Sequence, residues 1–60
     1  MENFKDLYER YTQLREVITS LRNLATDANE RGNYEDVEKI YAKIDEHEKE
    51  MREIEYKQLA

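Results

Sequence analysis

The 60-residue sequence has no cysteine, no proline, no tryptophan and one glycine, Gly32. Without cysteine, the disulfide framework that holds many small secreted domains is excluded. No apolar run approaches the roughly 18 residues of a membrane-spanning helix. Met1 to Asp6 show no basic stretch followed by an apolar one, so no secretory signal is read, and the cytosol is the expected compartment. A chain this short buries only about 60% of its unfolded surface. With neither a disulfide nor a recognisable metal site, the expected source of extra stability is a partner chain.

Charge of one sign is in excess but not concentrated. The chain carries 10 basic and 15 acidic residues, a net charge of -5, spread over both halves. An acidic surface disfavours nucleic acid, whose phosphates supply most of the affinity in such complexes. It also disfavours anionic membranes.

What is present is a strong period. Phe4, Leu7, Tyr11, Leu14, Ile18, Leu21, Ala25 and Ala28 alternate spacings of three and four without a slip. Val37, Ile40, Ile44, His47, Met51 and Ile54 continue in the same way, with His47 the one polar member. These are the a and d positions of a coiled-coil heptad. The spacing predicts an all-α chain with helix 1 over about 3–31, a turn at 32–33 and helix 2 over about 34–58, fraying near Gln58. Gly32 suits the left-handed residue that ends a helix. Asn33 is placed to cap helix 2, with Asp36 reaching back, and Asn3 with Asp6 forms a similar pair before helix 1. Arg31 is expected in the last turn of helix 1.

A short turn makes the helices antiparallel neighbours. Facing residues then have numbers adding to about 65: Ala28 with Val37, Ala25 with Ile40, Leu21 with Ile44, Ile18 with His47, Leu14 with Met51 and Tyr11 with Ile54. At the edges, Arg15 is expected near Glu48, Arg31 near Asp36, Arg22 near the Tyr41 ring, and Arg10 near Lys57 as a mild mismatch.

A single hairpin does not use every apolar side chain. Val17 and Leu24 lie outside the seam on a common stripe, and Tyr8 and Tyr41 flank it. Tyr56 falls on the outermost position, where with Leu59 it makes a small apolar patch. Tyr34, at the start of helix 2, is expected to pack back on the loop. A wide apolar face belongs to a bundle helix. The economical arrangement is a homodimer of hairpins forming a four-helix bundle. The alternatives are a monomeric hairpin, a trimer, a chain that folds only against a different protein, or one long helix opened at Gly32 that dimerises over its whole length.

Chemistry is sparse. His47 is the only histidine, and Ile44, three residues before it, breaks the Glu-x-x-His pattern of di-iron bundles. Glu46, Glu48 and Glu50 lie off the inward stripe. His47 therefore reads as a partly buried imidazole, bonded to a carboxylate or water, that fixes register or partner choice as buried polar seam residues can. Thr12, Thr19, Ser20 and Thr26 have no histidine close by, and no glycine-rich loop is present. No catalytic residue, metal or cofactor is assigned.

Gly32, Asn33, Tyr34, Val37, Tyr41 and Ile44 resemble the turn and second helix of a tetratricopeptide repeat, and Leu21, Leu24, Ala25 and Ala28 match its first helix. The resemblance covers about 24 residues. It departs at Val37, where the repeat has a small residue, and in the absence of proline after helix 2. Only one copy is present, whereas solenoids need about three. The similarity is therefore read as shared hairpin geometry.

The function expected from these features is that of a small acidic, non-enzymatic regulator or adaptor that binds another protein through its helix faces. The alternative is an oligomerisation module with no second partner. A lesser alternative is a dimeric nucleic-acid-binding bundle, with Arg15 and Arg22 on one edge.

Overall fold

The computed structural model describes residues 4–59, with side chains through residue 57. Two helices, α1 (Phe4–Glu30) and α2 (Tyr34–Leu59), pack against each other, and no strand occurs among the described residues. The hairpin is a rod of 44 × 15 × 14 Å. Asn3 and its pairing with Asp6 lie outside the described residues, as does the side chain of Gln58. Helix α1 is assigned to Glu30, and Arg31 closes it, its N–H still donating to the Asp27 carbonyl at 3.1 Å in the helical i to i−4 pattern.

The turn is explained by its hydrogen bonds. Gly32 has φ 76°, the left-handed region that a Cβ disfavours. Its N–H donates to the Asn29 carbonyl at 3.0 Å, and the Asn33 N–H donates to the Ala28 carbonyl at 2.8 Å. This crossed pair is a Schellman ending, which satisfies carbonyls that α1 leaves open. Asn33 then begins α2. Its side-chain oxygen accepts from the Asp36 N–H at 3.4 Å, and its amide nitrogen donates to the Asp36 carboxylate at 2.7 Å. Asp36 thus reaches back to the capping side chain.

Gly32→Ala tests this turn. A Cβ there meets nothing within 4 Å, so the cost is backbone strain alone. We expect a loss of about 1–2 kcal/mol with the hairpin retained. The denaturant midpoint reads it, and an unchanged midpoint would mean that the left-handed turn is not formed in solution.

The core is one row thick. Leu14, Ile18, Ala25, Ala28, Ile44 and Ile54 are buried. Leu7, Tyr11, Leu21, Val37, Ile40, His47 and Met51 are half-buried. On α1, every described residue that is not exposed belongs to this three-and-four series. Ala25 and Ala28 sit next to the turn, where their small side chains let the helices approach closely.

One seam position needs correction. Phe4, at the open end of the hairpin, is 69% exposed. His47, expected to be partly buried, is half-buried. Tyr34, expected against the loop, stands 66% exposed.

Candidate functional site

Side-chain bonds cross between the helices at several points among the described residues. Arg10 pairs with Glu50, the Tyr11 hydroxyl donates to Glu55 at 2.7 Å, and Arg22 pairs with Glu48 at 3.1 Å. The paired residue numbers add to 60, 66 and 70, on either side of the expected 65. The individual partners differ from those expected. Arg22, and not Arg15, carries the bond to Glu48, and Arg15 lines the same shallow depression beside Met51. Arg22 therefore turns to Glu48 and not to the Tyr41 ring. Arg31 pairs with Asp27 of its own helix at 3.2 Å, not with Asp36. Arg10 and Lys57 line one depression as expected, and Glu50 lies with them there and pairs with Arg10.

These bonds tune the groups they join. The hydrogen bond from Arg10 holds the Glu50 carboxyl below the usual carboxylate range; burial opposes the shift, and the charges of Arg10 and His47 add to it. The bond to Glu55 raises the Tyr11 phenol above its ordinary value, helped by burial and by the Glu55 charge and opposed by Arg15.

The sign for Glu50 is clear. A carboxyl whose folded pKa lies below its unfolded value adds stability above the unfolded pKa, and this is lost as pH falls through the folded pKa. The Arg10–Glu50 pair therefore contributes at pH 7 and fades below about pH 4.5, the unshifted value. The contribution is small because Arg10 is exposed and Glu50 is only half-buried, so water screens the pair. In Arg10→Gln the Glu50 carboxyl should titrate at a higher pH by NMR, and the stability gap to wild type should close between pH 7 and pH 3. An unmoved Glu50 titration would mean that the pair does not persist in solution.

The hydroxyls of Thr12, Thr19 and Thr26 are engaged locally. Each donates to the carbonyl four residues earlier, at 3.0, 3.0 and 3.1 Å. They recur every seventh residue on the outer face of α1, a regularity that sequence reading for catalytic groups overlooked. Among the described residues, no group of three or more His, Cys, Asp and Glu side chains is placed to hold a metal ion. The depressions in the surface are shallow. One, of about 330 Å³, lies at the open end over Leu7 and Ile54 and is rimmed by Asp6, Arg10, Glu50, Glu53 and Lys57. Among the described residues, no helix is long and apolar enough to cross a membrane.

The features that stand out are apolar and exposed. Val17 is 43% and Leu24 55% exposed. They are seven residues apart and so share one face of α1. Tyr8 and Tyr41 are exposed on the opposite flank of the seam, and Tyr56 projects from the outer face of α2. The hairpin thus does not gather these five residues into one patch. Leu59, expected beside Tyr56, has its side chain outside the described residues.

No protein-family model matches the chain, and no match to a curated protein or a solved structure was found.

Proposed function

We propose that this chain is a small acidic, non-enzymatic protein-binding module. It is an antiparallel coiled-coil hairpin that dimerises into a four-helix bundle and acts as a regulator or adaptor through its helix faces. The observation that supports this reading most is its surface. The hairpin exposes 5055 Å². A compact monomer of 7.3 kDa exposes roughly 4,200 Å² by size scaling. The excess, roughly 850 Å², goes with a rod shape and a one-row core, and it leaves apolar side chains such as Val17 and Leu24 for a second chain to cover.

The test has two parts. Sedimentation equilibrium over micromolar to millimolar concentrations should give a dimer mass, with helicity and melting temperature rising together with concentration. A fully helical monomer throughout would overturn the dimer. Immobilised wild type should then retain a protein from cell extract that Tyr8→Ser with Tyr41→Ser releases at unchanged dimer mass. A dimer that retains nothing in this way is instead an oligomerisation module, the reading that the same surface excess favours next.

A further inference from the structure

The dimer proposed above leaves open which faces meet, and the distribution of charge bears on this choice. From Thr12 to Thr26, α1 carries three charged residues in 15: Arg15, Glu16 and Arg22. From Tyr34 to Lys57, α2 carries 14 in 24. Covering the outer face of α2 would strip water from many charges, which is costly unless each finds a partner. The centre of α1 imposes little of that cost, and it also presents the exposed Val17 and Leu24.

A second three-and-four series runs along that face: Arg10, Gln13, Val17, Ser20, Leu24 and Asp27. All six are exposed, and the series lies about a quarter-turn or more from the buried seam. It is complementary to itself when reversed. With two copies of α1 antiparallel and residue numbers adding to 37, Val17 meets the partner's Ser20 and Leu24 meets the partner's Gln13. Arg10 then meets the partner's Asp27. A shift of about one helical turn, to a sum of 41, would set Val17 against the partner's Leu24 but Arg10 against the partner's Arg31, and the charge difference favours the first register.

We propose, on the basis of the dimer reading, that a second copy of this chain docks antiparallel along this face of α1. The two-fold axis passes between Ile18 and Thr19. Small Ser20 side chains near the axis let the helices approach, Val17 and Leu24 of both copies form the apolar centre, and Arg10–Asp27 pairs close both ends. The two α2 helices, with most of the charge, stay outside. Arg10 has five N–H donors, so it can hold Glu50 of its own chain and the partner's Asp27 together.

The chain has no cysteine, so single-cysteine variants report the geometry directly. In the dimeric full chain, Ser20→Cys should be joined by a short bis-maleimide, while Glu46→Cys on the outer face of α2 should not. Arg10→Asp alone, and Asp27→Arg alone, should each raise the dimer dissociation constant roughly tenfold or more, and the double swap should recover most of the loss. Within one chain the double swap sets a carboxylate at position 10 beside Glu50 and a guanidinium at position 27 beside Arg31, so intrachain contacts would not produce the recovery. If the chain sediments as a dimer but Ser20→Cys stays unlinked, the docking face is wrong and the dimer stands. Tighter dimerisation by Arg10→Asp would overturn the register. A wild type that is monomeric at millimolar concentration would remove the dimer, and this inference with it.

Discussion

Val17→Asp combined with Leu24→Asp is expected to leave a monomer where the wild type is a dimer. Both residues are exposed in the single hairpin, so within one chain the substitutions remove little packing. The direct effect on an isolated hairpin is then a modest loss of helix propensity at two sites. In the dimer the same changes place four carboxylates in the apolar centre of the interface. Burying an unpaired carboxylate there costs several kcal/mol, enough to abolish an interface of this size. Helicity should fall as well, because a one-row core is marginal for a chain of this length. Sedimentation equilibrium and far-UV circular dichroism at matched concentrations read both effects. A double variant that dimerises like the wild type would show that the stripe does not face the other copy. Tyr56→Ser, on the outer face of α2, serves as the control and should not change the mass.

The second large effect is expected at Ile44→Ala. Ile44 is 4% exposed and sits opposite the middle of α1. Truncating a buried isoleucine to alanine costs about 2–5 kcal/mol. A domain of this size has a total stability of only about 3–9 kcal/mol. The variant should therefore lose its cooperative transition at low micromolar concentration and regain part of it at high concentration, where association opposes unfolding. Thermal melts over a hundredfold range of concentration read this. A loss below about 1 kcal/mol would mean that the site collapses around the smaller side chain or is not part of the core.

The buried row was readable because a helix repeats its faces with a fixed period. Leu14, Ile18, Ala25 and Ala28 follow that period, and so do Ile44 and Ile54 across the hairpin. The turn was readable for a related reason: one glycine, followed by a residue that caps, leaves a single place for the chain to reverse. The edges were harder. Arg22 and Arg15 lie one heptad apart with equal claims on Glu48, and long flexible side chains reach a turn in either direction. The energies that separate such choices are small, so no pattern in the sequence ranks them. Arg31 illustrates the same point, since Asp27, four residues earlier on its own chain, competes with Asp36 across the turn. Of the seven large apolar or aromatic side chains that stand exposed, Tyr8, Val17, Leu24, Tyr41 and Tyr56 were legible as lying off the seam, whereas Phe4 and Tyr34 were expected to pack. The division of the first five between two flanks of the hairpin and the outer face of α2 required the register.

The Schellman turn at Gly32 has a consequence for how the molecule comes together. Contacts beside the turn, such as those near Ala28 and Val37, close loops of only a few residues, whereas Leu7 and Ile54 must find each other across almost the whole chain. Loop closure grows more costly with length, so ordering should start at the turn and run outward like a zipper. Reversal should follow the same path, with the termini fraying first. Backbone amides on either side of Gly32 should then be the last to exchange with solvent deuterium, and those before Leu7 and after Ile54 the first. Association along the middle of α1 would clamp this zipper at its midpoint and slow the opening of the half nearest the turn, coupling the lifetime of the fold to the concentration of the chain.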